Sequence, residues 1–192
     1  MLVIARHGET EWNKLKRLQG WKNSPLTVNG RTQANEVAKT IKQLVESRGF
    51  KMISSPLGRA VETSSIIANV LGYNEKVILE PLVKEYSFGE WEGSTSQEVR
   101  SQRPNEWNNR QADKWNYVVP GGESYSVLTV RARKWLDELS SDICTVLITH
   151  EMMSKAIRGV YFELSQNEIP KLSHKNNEVY VLSSGYERKL TV

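Results

Sequence analysis

The densest chemical signal in the sequence is Arg6-His7-Gly8-Glu9-Thr10. A guanidinium presents a rigid fork of donors matched to phosphate oxygens, and an unprotonated imidazole can attack phosphorus. A neighbouring glycine lets backbone approach a ligand closely. A second histidine, His150, stands in the same context as His7: each follows a short apolar run, MLVIAR and CTVLIT respectively. If both runs are strands of one parallel sheet, both imidazoles emerge at its carboxyl edge, where open α/β sheets build their sites. Taken singly, either histidine fits a satisfied core residue equally well, and Arg59 fits a surface ion pair. The third histidine, His174, lies in the polar stretch Ser173-His174-Lys175 and reads as exposed.

Other phosphoryl-transfer chemistries lack their parts. The three aspartates, Asp113, Asp137 and Asp142, do not follow apolar strands, so an aspartyl-phosphate route has no nucleophile. Cys144 is followed six positions later by His150 rather than an arginine, so a cysteine-phosphatase loop is absent. There is no G-x-x-x-x-G-K-[ST] loop. His150-Glu151 begins like a zinc-binding H-E-x-x-H, but Ser154 stands where the second histidine belongs, so no metal site is expected.

The elements that must position these residues alternate between strand and helix, which indicates a layered α/β fold. Met1 to Ala5 reads as a buried strand. Val37, Ala38, Ile41, Leu44 and Val45 have helical spacing, with Gly49 as a stop. Phe50 to Ile53 reads as a second strand, and Ser55-Pro56 as the N-cap and first residue of a helix through Ala60, Ile66, Ile67 and Val70 to Gly72. Lys76 to Leu79 is a third short strand. Residues 82–125 lose regularity and hold Trp91, Trp107 and Trp115; they read as an insertion with short helices, one starting at the capping box Thr95-Ser96-Gln97-Glu98. Ser124 caps a helix through Val127, Val130, Trp135 and Leu139. Ile143 to Thr149 is the most apolar strand, a helix follows to about Tyr161, and Val179–Leu182 with Tyr186–Val192 form a hairpin turning at Ser184-Gly185.

A length of 192 residues fits one domain, 1–192, with 82–125 as its insertion. The net charge of +4 suits an anionic ligand, but Lys and Arg are scattered, so nucleic acid is not expected as a partner. A single cysteine excludes an intramolecular disulfide. No stretch approaches the ~20 apolar residues of a membrane helix, and the N-terminus lacks a signal-peptide pattern, so no membrane partner and a cytoplasmic location are expected. Oligomeric state is open, a homodimer included.

The motifs together resemble the histidine phosphatase superfamily, which includes cofactor-dependent phosphoglycerate mutase. The resemblance rests on Arg6-His7-Gly8-Glu9-Thr10 with Trp12-Asn13; Ser24-Pro25-Leu26-Thr27 with Gly30; and Ser54-Ser55-Pro56-Leu57-Gly58-Arg59-Ala60 with Thr63. It continues in Glu85 ahead of Phe88-Gly89-Glu90-Trp91-Glu92-Gly93, in Pro120-Gly121-Gly122-Glu123-Ser124, and in Thr149-His150. These blocks fall in the family's order over nearly the whole chain. The resemblance implies a three-layer α/β/α fold with a mostly parallel central sheet and a small cap over its carboxyl edge. It also implies a phosphatase acting on a small organic phosphomonoester without metal or cofactor. His7 would be the nucleophile and Glu85 the proton donor, chosen over Glu80, Glu90 and Glu92 by alignment alone. Arg6, Arg59 and His150 would surround the phosphoryl group, and Asn13 would add a hydrogen bond.

One departure stands out: many members carry glycine after the second histidine, and this chain has Glu151. Its backbone N–H can still face phosphate as part of the binding set. Its carboxylate must point away, fix a neighbouring arginine or favour the helix start, and the sequence leaves these open. Trp107, Trp115, Tyr117 and Glu123 are candidates for a selectivity rim; packing of Trp107 and Trp115 against the core is the plainer reading. The alternatives are a phosphoglycerate mutase, a non-catalytic phosphate-binding module and a phosphoprotein-directed enzyme. The short insertion with its Gly89-Glu90-Trp91-Glu92-Gly93 pattern favours a phosphatase over a mutase.

Overall fold

A computed structural model describes residues 1–46, 49–140 and 142–192. Six strands form one mixed sheet in the order β3-β2-β4-β1-β5-β6, with β1 at Leu2–Arg6, β2 at Phe50–Ser54, β3 at Ile78–Leu79, β4 at Cys144–Thr149, β5 at Glu178–Ser183 and β6 at Tyr186–Thr191. The first four strands run parallel, and β5 and β6 form the antiparallel hairpin expected from the sequence. Ser184 and Gly185 both take positive φ, 50° and 78°, as a tight hairpin turn requires. Strand β3 is shorter than expected and exposed, since Lys76 and Val77 lie outside the ladder.

Alternation along the central strands assigns the layers. Val3, Ala5, Val146 and Ile148 face one side, where they pack with Val37, Ala38 and Ile41 of α2 (Val28–Val45) and Ala60 and Ile67 of α3 (Gly58–Leu71). Leu2, Ile4 and Leu147 face the other side, against Leu128, Ala132 and Trp135 of α6 (Tyr125–Asp137) and Met153, Ala156 and Ile157 of α7 (Glu151–Tyr161). Both faces are thus buried, which is why β4 reads as an unbroken apolar run. The short α1 (Glu11–Lys14) was not foreseen. It is closed by a capping box between Thr10 and Asn13.

Three helix readings need correction. Helix α3 begins at Gly58 rather than at Pro56: Asn23, from a distant loop, accepts from the Arg59 N–H at 2.9 Å, while Ser55 Oγ bonds Leu57 N in a local turn. In α6, capped by Ser124 as expected, Val127 and Val130 face solvent. The apolar phase runs instead through Leu128, Ala132 and Trp135. Helix α2 ends at Val45, and the expected stop at Gly49 lies beyond residues outside the described set.

The insertion folds as α4 (Ser96–Gln102), opened by the Thr95–Glu98 capping box, and α5 (Pro104–Ala112). Trp91 anchors it, fully buried, with its indole N–H on Glu106 at 2.9 Å and the rings of Trp107 and Tyr117 beside it. No helix among the described residues is long and apolar enough to cross a membrane.

The loop after β1 is locked to the start of α2 by two glycines. A Cβ on Gly30 would collide with the backbone oxygen of Glu9, and one on Gly8 with the backbone oxygen of Gly30. Backbone cannot retreat as a flexible side chain can, so Gly30→Ala is expected to destabilise the fold by about 1–3 kcal/mol. Urea denaturation measures this; wild-type stability would contradict the contact.

Candidate active site

Register sets the site. Arg6 pairs with Thr149 and Ser54 with Ile148, so β1, β2 and β4 end level with one another. The next residues, His7, Ser55 and His150, therefore emerge together at the carboxyl edge. His7 N–H bonds Thr149 O at 3.0 Å and Ser55 N–H bonds Ile148 O at 3.0 Å, and the rings of His7 and His150 lie 5.2 Å apart.

The tautomer of His7 follows from its partners. Its Nδ1 lies 2.8 Å from Gly8 O, which can only accept, so Nδ1 carries the proton and Nε2 keeps its lone pair. Arg59 Nε donates to that lone pair at 3.2 Å. Burial, and then the charges of Arg59 and Arg6, hold the His7 pKa well below its ordinary 6.5, so the ring is neutral at neutral pH.

Arg59 is almost fully buried, not a surface ion-pair residue. Its two terminal nitrogens donate to Lys22 O and Gly20 O, each at 2.8 Å. Burial brings its pKa down to about 10, which leaves it cationic at neutral pH. The loop carrying those two carbonyls is held by Glu92, whose carboxylate accepts from Trp21 N at 2.9 Å and Lys22 N at 3.0 Å. Arg6 Nη1 donates to His174 O and forms an ion pair with the Glu151 carboxylate, both at 2.8 Å, and its buried Nε has no partner among the described residues. Of the three options for Glu151, pairing with the neighbouring arginine is realised, at the first turn of α7.

His150 is fully buried, with Nε2 2.7 Å from Ser55 Oγ and Nδ1 unpartnered. Burial, followed by Arg59 and His7, lowers its pKa well below 6.5. Glu85 is buried too; its Oε1 accepts from Tyr86 N at 2.9 Å and from Met153 N, an open donor in the first turn of α7, at 3.2 Å. Burial raises its pKa above the ordinary 4.5 against the opposing pull of the Tyr86 N–H and Arg59. The competing carboxylates are engaged elsewhere: Glu80 with Leu82 N, Glu90 with Arg103, and Glu92 with the 21–22 loop.

A cavity of about 280 Å³ is lined by Arg6, His7, Asn13, Arg59, Glu85 and Glu151. Asn13 Oδ1 accepts from Thr10 N and Oγ1, at 3.1 and 3.0 Å, which leaves its amide NH₂ as the free donor. The rim differs from expectation. Trp107 and Tyr117 pack on Trp91, Trp115 stacks on Tyr125, and Glu123 is tied to Arg131 at 2.8 Å and to Ser87 N at 2.9 Å, so none of the four lines the cavity. Its outer wall is instead Arg17, Gln19, Phe88, Arg110, Tyr125 and Lys155. Lys155 stands one turn after Glu151 on α7, a spacing that could have flagged it; Arg110 carried no such signal. Larger grooves of about 750 and 480 Å³ run along α6 and α7, away from the carboxyl edge at which His7 and His150 emerge.

His174 contradicts its reading as exposed. It is 1% exposed, with Nδ1 2.6 Å from Ser154 Oγ and Nε2 2.9 Å from Glu178 O. Partners remote in sequence satisfy it, which its polar neighbours could not reveal.

Known proteins resemble this chain in sequence and in fold. Residues 2–192 match the histidine phosphatase superfamily (branch 1). The chain is 37% identical over 179 residues to a probable phosphoglycerate mutase GpmB of Photorhabdus laumondii, spanning 91% of this chain and 80% of that protein. It is 30% identical over 182 residues to a 2,3-bisphosphoglycerate-dependent phosphoglycerate mutase of Parvibaculum lavamentivorans, spanning 91% and 82%. A solved mycobacterial glucosyl-3-phosphoglycerate phosphatase complexed with VO3 superposes with a TM-score of 0.83 at 26% identity, covering 100% of this chain and 96% of that one. With the family's sequence blocks along the whole chain and its six-stranded α/β fold behind them, the protein belongs to the histidine phosphatase superfamily, a group of phosphoryl-transfer enzymes.

Proposed function

We propose that the protein is a metal-independent phosphatase acting on a small organic phosphomonoester through a phosphohistidine on His7. The observation that carries this reading is the neutral His7, with its Nε2 lone pair set against Arg59 in a cavity that also holds the raised-pKa Glu85. Phosphoryl transfer spreads negative charge over the equatorial oxygens. Arg6 and Arg59 supply fixed positive charge there and Asn13 adds a donor, so side chains meet the demand a metal would otherwise fill. His150, expected in this set, lies fully buried beside His7 and outside the cavity lining. His7 Nε2 bonds to phosphorus as the P–O ester bond breaks, and the leaving oxygen takes the Glu85 proton. Glu85, now a carboxylate, takes a proton from water as that water attacks phosphorus, and the N–P bond breaks to release inorganic phosphate.

Hydrolysis rather than transfer is supported by the short insertion. The mutase reading keeps one argument, the names of the relatives in Photorhabdus and Parvibaculum. Phosphate release measured beside bisphosphoglycerate-stimulated exchange separates the two. The outer wall bears on the substrate: Arg110 and Lys155 form no ion pair among the described residues, and Arg110 Nε is buried without a partner. Such a wall favours an organic part that carries an acidic group. Arg110→Ala is expected to lower kcat/KM for acidic phosphomonoesters about 10-fold or more relative to neutral ones in a phosphometabolite panel. An equal effect on both classes would refute that preference.

His7→Ala is expected to abolish turnover, and Arg59→Ala to cost roughly 10²-fold or more. Acid-labile, base-stable phosphate trapped on any other residue would overturn the scheme. Free-enzyme activity needs His7 unprotonated and Glu85 protonated. With the first pKa pushed below 6.5 and the second above 4.5, kcat/KM should fall as pH rises through the Glu85 pKa. Glu85→Gln should flatten that alkaline limb at a low rate; a profile unchanged in height and shape removes Glu85 from the role. Glu151→Gln takes away the carboxylate that competes for Arg6 and should tighten inhibition by inorganic phosphate several-fold, roughly 3- to 10-fold. Weaker inhibition would mean that Glu151 assists the anion instead.

A further inference from the structure

The third histidine takes no part in the reaction above, yet it sits where the reaction's parts are anchored. Residues 173–177 cross the back of Arg6 and His7 before entering β5. The backbone carbonyl of His174 accepts from Arg6 Nη1 at 2.8 Å, and two residues on, Asn176 Nδ2 donates to the backbone carbonyl of His7 at 2.7 Å. One loop thus grips a phosphate-facing guanidinium and the nucleophile's own peptide.

The loop is itself tied at nearly every residue. Arg158 and Tyr180 donate to Ser173 O at 2.7 and 3.1 Å, and Lys175 N donates to the Glu178 carboxylate at 2.9 Å. The His174 ring is the central tie. Glu178 O can only accept, so Nε2 carries the proton; Nδ1 then accepts from Ser154 Oγ on α7, and Tyr180 packs edge-on at 4.7 Å. Burial, opposed by the bond to Glu178 and aided by Arg6 and Arg158, lowers the ring's pKa to about 3, so this bonding pattern holds across the working pH range.

We propose that His174 and Asn176 are positioning residues: His174 fixes the carbonyl that aims Arg6 at the phosphoryl group, and Asn176 fixes the backbone that aims His7 Nε2. The two roles separate by readout. His174→Leu frees the loop from α7 and should weaken inorganic phosphate binding roughly 10-fold by calorimetry, with a matching rise in KM. Asn176→Ala should lower kcat about 10-fold or more through misplaced attack geometry while phosphate affinity stays within about twofold. Asn176→Asp keeps the shape but loses the donor, so it should behave like the alanine variant. Wild-type kcat in Asn176→Asp overturns the role of Asn176. Where the leucine variant does not fold, His174→Gln can set its amide NH₂ against Glu178 O but removes the ring Nδ1 that accepts from Ser154, and is expected to weaken phosphate several-fold; unchanged affinity overturns the role of His174. Equal losses of affinity and kcat in both variants would reduce the loop to general support. The kcat arm rests on the phosphatase reading, whereas phosphate calorimetry needs no turnover, so a chain that binds phosphate but hydrolyses nothing tells the two failures apart.

Discussion

A guanidinium buried without a carboxylate is the constraint around which the site is built. Arg59 donates to two carbonyls and an imidazole, and among the described residues it pairs with no carboxylate. Carbonyls stabilise the cation by dipole alone, so positive potential remains to act on whatever enters the cavity. Burial first, and then the same potential, keeps His7 and His150 neutral. A carboxylate bonded to Arg59 would bury it more comfortably and leave less for a phosphoryl group. Stability and function pull in opposite directions here, and the geometry favours the anion.

The cost is met by fixing the carbonyls. Gly20 takes a positive φ of 51°, and a Cβ there would strike the Glu92 carboxylate, the group that holds the N–H groups of Trp21 and Lys22. Glu92 therefore acts at a remove: it shapes the loop that holds Arg59, whose Nε donates to His7. Its place in the Gly89-Glu90-Trp91-Glu92-Gly93 stretch gives that pattern a physical meaning beyond family likeness.

What the sequence made legible is what periodicity and strand ends encode. The apolar runs before His7 and His150 placed both imidazoles at one edge, and local pairs such as Thr95–Glu98 and Ser184-Gly185 fixed helix start and hairpin turn. What it hid depends on partners distant in the chain. The start of α3 is set by Asn23, His174 is satisfied by Ser154, and Glu85 differs from Glu80, Glu90 and Glu92 only by what surrounds it. The buried face of α6 is hidden in the sequence for a simpler reason: Val127 and Val130 share helical spacing with one another, and spacing gives a period without its phase.

His7 and Arg59 sit at or just behind strand ends, whereas Phe88, Arg110 and Tyr125 of the cavity wall lie within residues 82–125, the stretch that also carries Glu85 and the loop-holding Glu92. Wall residues and the buried carboxylate therefore share one stretch of chain. Changes at wall positions such as Phe88 and Arg110 alter what the cavity presents, whereas changes at Glu85 or Glu92 in the same stretch reach Arg59 and the loop that holds it.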